Sequence, residues 1–463
     1  MRLRPLILAL CCVGAFLAFL DATIVNIAFP AIERAFKGPS LSTLSWVLNA
    51  YNVVIAASLV PAGRLADRLG RRRIFLGGLL LFTASSAACA AAPTVGWLIA
   101  ARVLQAVGAA MLLPSSLALM LPLYAPERRQ AAAALWGAVA AVASGAGPTL
   151  GGLLIDWASW RWVFLINVPI GLIAVAATLT LLRESRSETP STPDVAGSVL
   201  LAVALGALAT GLVKGHEWGW GSGRVLISFA VAAAGFVLGA LHAPRHPTPV
   251  LDPVVLRLRS VAVANVATIL FATAFFAATL NNVLFLTGSW GWSALHAGLA
   301  ITPTPLIAAV AAGPAGRIAD RFGASSVVVP GTIVYLIGML ITHAIAPRGP
   351  DFWEHWLPGM VLVGTGVGLA FPALGGAALQ GVPERYFGVA SALNNTARTL
   401  GAVLGVSLLV VIFSAAGPDP AIGAKHAWIF AGVVAVVCGA VSAALPRPGP
   451  TPTPEPAVAP ADA

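Results

Sequence analysis

Long apolar runs alternate with short polar ones along the whole chain. A helix needs about 20 apolar residues to cross a hydrocarbon core. Fourteen runs satisfy that length. The first six are residues 6–29, 44–63, 74–92, 97–124, 131–155 and 163–182. A polar stretch, RESRSETPSTPD, follows them. Two more runs, 195–213 and 224–242, lead to a second break, PRHPTPVLDPVVLRLRS. The last six are 260–287, 295–315, 325–346, 357–381, 388–414 and 426–446. The pattern predicts an all-α polytopic membrane protein with fourteen spans. Its parts are a six-span bundle over 1–182, a linker with two extra spans over 183–259, a second six-span bundle over 260–446 and a tail over 447–463. The tail is rich in Pro and Ala and is expected to be disordered and cytoplasmic.

Part of the polar pattern is written twice. GRLADRLGRRR runs from Gly63 to Arg73, and a near copy, GRIADRFG, runs from Gly316 to Gly323. PERR at Pro126 returns as PERY at Pro383, and Pro114 has a counterpart in Pro372. Spans 7 and 8 have no partner. Two similarly oriented bundles of six are what parallel repeats produce in transporters, with the substrate site between them.

Composition agrees: 58% of residues are hydrophobic, 10% are charged and the mean hydropathy is +0.89. A soluble domain carries about 25% charged residues. The net charge of +10 does not point to nucleic acid. Its arginines sit in short loops, and every second loop is basic. That bias places both termini in the cytoplasm of a multi-pass cell-membrane protein, with a bacterial plasma membrane expected. Trp157, Trp160 and Trp162 lie where an outer interfacial belt belongs. Asp21 interrupts the first apolar run and no small-residue cleavage site follows, so that run reads as a retained span. Cys11, Cys12, Cys89 and Cys438 all lie in apolar stretches, and neither they nor the histidines have metal-ligand spacing. There is no Walker A lysine motif, hence no sign of an ATP-driven engine.

Candidate chemistry is the short set of polar groups inside the runs, where ionisable residues mark pathways by default. Asp21, in FLDATIVNIAFP, is the one carboxylate clearly embedded in a run. Low dielectric penalises its charged form, which suits a group that takes and releases a proton. The competing reading is a packing acid paired with a nearby donor. Arg102 in span 4 shares a helix face with Gln105. It reads as an electrostatic partner for a carboxylate or as a clamp on backbone carbonyls. Arg398 in span 13 follows Asn394 and Asn395 on one face. These three line a substrate path or serve interhelical hydrogen bonding. Asn49, Asn52, Asn281 and Asn282 have the same two readings, and Gln105 is also counted with the substrate path. In span 5, Gly147, Gly151 and Gly152 admit a close neighbour, and Pro148 removes a backbone hydrogen bond.

Together these motifs resemble the major facilitator superfamily, and within it the fourteen-span drug:proton antiporters of the EmrB/QacA type. GRLADRLGRRR is similar to the superfamily's loop between spans 2 and 3, and LDATIVNIAFP to the group's span 1 signature. ARVLQAVGAA is similar to the span 4 arginine motif, with Ala106 where a glycine is usual. GPTLGG followed by WRWVFLINVPIG is similar to the antiporter motif and its downstream loop. The resemblance implies a major facilitator fold and proton-coupled multidrug efflux by alternating access. It assigns Asp21 and Arg102 to proton coupling. It also assigns Gly63, Asp67, Arg68, Gly70, Arg71 and Arg72, with Arg317 and Asp320 of the second copy, to a cytoplasmic latch against the second bundle. Gly147, Pro148, Gly151 and Gly152 become the antiporter motif. Span 10 carries no acid of the kind used for dications, so the expected cargo is a small hydrophobic compound, neutral or monocationic. Protons would drive transport with no cofactor and no metal. The partners would be substrate, protons and lipid bilayer, with no nucleic acid, and the chain would be a monomer. Alternatives are an exporter of a lipid or of a self-made antibiotic, a polytopic membrane enzyme, or a non-transporting sensor. The enzyme reading lacks a cluster of acids, histidines or a nucleophile at one face.

Overall fold

A computed structural model describes residues 4–36, 38–124, 126–186, 192–383, 386–417 and 419–446. The expected tail, 447–463, lies outside them, as do the side chains of the PERR segment and two residues of its PERY copy. The described residues are helical, with turns between. Among the described residues, fourteen helices are long and apolar enough to cross a membrane: Pro5–Ala35 (α1), Leu41–Leu69 (α2), Arg71–Ala90 (α3), Val95–Leu123 (α4), Leu135–Trp157 (α5), Trp162–Leu181 (α6), Val195–Trp218 (α7), Gly223–Arg245 (α8), Arg259–Gly288 (α9), Ala294–Phe322 (α10), Ser325–Ile345 (α11), Phe352–Ala377 (α12), Val389–Ala416 (α13) and Pro420–Ser442 (α14). Only closed backbone hydrogen bonding is tolerated in lipid, and helices provide it within one segment.

The packing repeats with the sequence. In the first bundle α3 lies on α4, α1 on α5, α2 on α4 and α3 on α6. Eight helices later α11 lies on α12, α9 on α13, α10 on α12 and α11 on α14. The bundles meet where α2 packs on α13 and where α5 packs on the first segment of α10. The repeat exchanges these two seams. An apolar cluster closes the middle of the interface, with Ile24, Ala143, Ala277, Leu280, Val406 and Leu409 all buried in it. The inserted α7 packs on α2 and α13, while α8 packs mainly on α7. Leu226, Ile227, Val237, Leu238 and Leu241 of α8 are exposed, a surface suited to lipid.

One expectation changes. The charge-dense run is not a loop. Helix α2 continues to Leu69 and α3 starts at Arg71, so Gly70 alone separates them. Asp67 and Arg71 face each other at i,i+4 (2.9 Å), and Arg68 sits in the last turn, where a cation favours the helix dipole. The chain reverses at Gly70 with φ 119°, and a Cβ there would meet the Glu184 carboxylate at 2.5 Å. In the second copy α10 likewise runs to Phe322, and Gly323 turns with φ 91°.

Candidate functional site

Asp21 lies in the middle of α1 and is fully buried. Arg102 of α4, equally buried, donates from Nη1 to Asp21 Oδ2 and to Gln105 Oε1, the latter at 2.7 Å. Gln105 is one turn beyond Arg102, so the guanidinium fixes its amide. The Gln105 Nε2 then donates to Asp21 Oδ1 at 2.8 Å and to Ser86 Oγ at 3.0 Å. Asn167 of α6 donates to Asp21 Oδ1 at 3.4 Å and to Ser86 Oγ at 3.1 Å. The Ser86 hydroxyl donates to the Phe164 carbonyl at 3.0 Å. Arg102 also donates from Nε to the Val47 carbonyl at 3.2 Å, and its guanidinium lies 3.9 Å from the Tyr51 ring centroid. The ring gives the cation an electrostatic partner besides the acid.

Desolvating two charges is expensive, and mutual attraction repays it only when the remaining polar atoms are also satisfied. Here four helices supply them: α1 the acid, α4 the arginine and glutamine, α3 the serine, α6 the asparagine. Adding or removing one proton at Asp21 therefore disturbs contacts among all four. The structure brings together Asp21, Arg102 and Gln105, which the sequence singled out. Ser86, Asn167 and Tyr51 were missed. Each is an uncharged polar group among apolar residues, which carries no weight until its partner on another helix is seen.

The other polar candidates do not form one wall. Asn49 donates to Ser407 of α13 at 3.2 Å, across the seam between bundles. Asn52 is half-buried. Asn281 donates to the Ala424 carbonyl at 3.2 Å, and Asn282 accepts from Trp428 Nε1 at 2.8 Å, so both bind within the second bundle. Asn394 donates to Asn265 and Thr268 of α9 at 3.2 and 3.0 Å. Asn395 accepts from Arg398 Nη2 at 3.2 Å.

The glycines of α5 divide by face. Gly147 and Gly151 lie on α1, beside Thr23, Ile24 and Ile27. Gly152 lies on α10, where a Cβ would meet the Ala294 carbonyl at 2.4 Å, and the Pro148 carbonyl lies against Gly298. Asp156 caps the start of α10 by accepting from the amides of Ala294 and Leu295 at 3.2 and 3.0 Å. Thr149 bonds Thr302 at the same contact. These contacts close the bundles together at the face away from the chain termini.

In the charged run near the termini, Arg71 and Arg72 hold the ends of the first bundle's own helices. Arg71 binds Asp67 and donates to the Ala118 carbonyl at 3.3 Å. Arg72 donates to the carbonyls of Thr178 and Leu179 at 3.4 and 2.9 Å, and its amide donates to Glu184 at 3.1 Å. All of these partners belong to the first bundle or the segment just after it. Glu184 was missed by sequence reading. Gly63 faces Pro114 of α4, and Arg68 is exposed. Arg317 and Asp320 of the second copy are exposed.

Two bundles related by a parallel repeat and meeting along exchanged seams define a secondary transporter. The chain belongs to the Major Facilitator Superfamily, whose family profile matches residues 11–245 and 264–462. Among relatives, it is 34% identical over 411 residues to the multidrug resistance protein Stp of Mycobacterium tuberculosis (strain CDC 1551 / Oshkosh), covering 87% of this chain and 74% of that one. It is 33% identical over 419 residues to the tetracenomycin C resistance and export protein of Streptomyces glaucescens, covering 89% and 76%. Among solved structures, an auto-inhibited POT family peptide transporter superposes with a TM-score of 0.69 at 17% identity, covering 96% of this chain and 97% of that one. That likeness concerns the fold.

Proposed function

We propose that the protein is a proton-coupled drug efflux transporter of a bacterial plasma membrane, exporting small hydrophobic compounds by alternating access. The observation that carries the proton step is the buried Asp21–Arg102 pair, bound on both carboxylate oxygens. The relatives' names, resistance and export, support the cargo class. The basic loops support termini in the cytoplasm, and on that orientation the closed face is the outer one. Protonating Asp21 removes the charge that Arg102 answers and leaves a buried guanidinium without its counter-ion. Breaking such a pair costs about 3–5 kcal/mol. That is enough to shift two conformations of similar energy from one to the other. No bound cofactor is required, because the proton gradient supplies the work.

The test is uptake of a fluorescent drug into inside-out proteoliposomes under an imposed proton gradient. Accumulation should collapse with the gradient. Accumulation that survives its collapse refutes proton coupling. The tetracenomycin C relative favours a narrower second reading, in which the cargo is an antibiotic made by the same cell. Export of that one compound, with no effect across a drug panel, would support it.

A further inference from the structure

Arg398 is the charge in the middle of the spans that this mechanism leaves over. It lies on α13, beyond the apolar seal of Val406 and Leu409, on the side of the chain termini. Its guanidinium is 5.9 Å from the ring centroid of Phe19, which belongs to α1 in the opposite bundle. Phe19 in turn meets Trp136 of α5 edge to face at 6.0 Å. The indole of Trp136 is fixed by donation to Ser116 Oγ at 3.1 Å. One guanidinium from α13, one ring from α1 and one from α5 therefore form a chain of neighbours across the two bundles.

The guanidinium has five N–H donors in a planar fork. Among the described residues only Asn395 Oδ1 accepts from it, at Nη2, and no carboxylate pairs with it. Asp21 cannot serve. It is held by Arg102, Gln105 and Asn167, and it lies two residues from Phe19, on the other side of α1. The net charge offered to cargo at this junction is thus positive. A cation would be repelled there. A planar carboxylate or similar anion would meet two parallel donors, the geometry for which arginine is suited, and an attached ring would meet Phe19 and Trp136.

We propose that Arg398 is the specificity-determining residue of the transport site, selecting aromatic compounds that carry a carboxylate or an equivalent planar anion. This rests on the efflux reading above and narrows its cargo class, away from monocations. The test uses three tritiated probes of one shape: 2-naphthoate, 2-naphthamide and 2-naphthylmethylammonium. Binding is measured on the full chain in nanodiscs, for the wild type, Arg398→Gln and Arg398→Lys. The wild type should bind the three in that order. Arg398→Gln should weaken naphthoate binding by about tenfold to hundredfold, the range for a hydrogen-bonded charge, and leave the amide nearly unchanged. Arg398→Lys should fall between, because it keeps the charge and loses the fork. Equal binding of the three probes by the wild type, a preference for the ammonium, or no binding of naphthoate overturns the proposal. So does an anion preference that survives in Arg398→Gln. Drug efflux from cells separates the two readings. A wild type that exports nothing defeats the efflux reading, whereas one that exports drugs without distinguishing anions from cations defeats only the role of Arg398.

Discussion

Replacing Asp21 by asparagine preserves shape and removes the titration, and the structure shows that it does more. The carboxylate accepts from Arg102 on one oxygen and from Gln105 and Asn167 on the other. An asparagine can keep its oxygen toward Gln105 and Asn167, but then its amide N–H₂ faces the Arg102 Nη1. A donor meets a donor, and the guanidinium is left buried without its counter-charge. The expected destabilisation is about 3–5 kcal/mol, as for other buried pairs broken on one side. Arg102→Gln alone should cost a similar amount, since the acid is then unpaired. The double variant should recover more than half of the summed loss, because the two residues share one interaction. Reversible unfolding of purified protein in mixed micelles measures the stabilities, and efflux from proteoliposomes measures function. Asp21→Asn should not concentrate drug against its gradient, and the double variant should not either, although it is more stable. Asp21→Glu should retain partial coupling because it still titrates. The reasoning fails if Asp21→Asn unfolds within about 1 kcal/mol of the wild type, or if it still concentrates drug.

Four further outcomes are expected. A cysteine placed in 415–425 should react with an impermeant thiol reagent from outside the cell, and one at Arg71 should not; the reverse pattern would invert the topology. Asp67→Asn should reduce transport with near-normal protein levels, because its half-exposed pair with Arg71 contributes no more than about 1 kcal/mol to stability; unchanged transport would remove the run from the cycle. Gly152→Val should prevent closure against the Ala294 carbonyl, and labelling of a cysteine at Leu295 should rise several-fold; unchanged labelling would show that this contact does not gate. Burial alone would raise the Asp194 carboxyl, but the Gly197 amide, the His242 imidazole and the Val250 amide outweigh it and hold it below the usual carboxylate range. A depressed carboxylate stabilises the fold above its unfolded value of about 3.9 and loses that contribution as pH falls through the folded value. The packing of α7 on α8 should therefore loosen in acid below about pH 4, and Asp194→Asn should flatten that dependence in limited proteolysis near Arg245.

The fourteen spans were legible because lipid leaves the chain little choice. A run that is long and apolar must be a helix, and its length sets its ends to within about two turns. Asp21 and Arg102 were legible for the same reason, since charge inside such a run is costly enough to need an explanation. Their connection was not, because nothing in the spacing of α1 and α4 says which faces meet. Ser86 and Asn167 were invisible for a different reason. A hydroxyl or amide among apolar residues costs little when bonded to its own helix, so sequence alone gives it no weight until a partner from another helix is seen. The duplicated run makes the same point in reverse. Sequence likeness pointed to a duplicated bundle and put residues of GRLADRLG and GRIADRFG in one latch. In the first copy Arg71 follows the turn glycine and neutralises Asp67. In the second the residue after Gly323 is Ala324, and Asp320 is exposed. The repeat kept the helix end and its glycine turn but only one copy of the ion pair. An exchange of residues between copies tests whether that difference matters. Placing an arginine by Ala324→Arg should give Asp320 an i,i+4 partner worth about 0.3–0.5 kcal/mol. If the asymmetry of the two copies helps set which face stays closed, that substitution should shift thiol accessibility at the two faces while leaving the amount of folded protein unchanged. Equal accessibility before and after would mean that the surviving likeness is a relic of duplication and that the first copy alone takes part in the cycle.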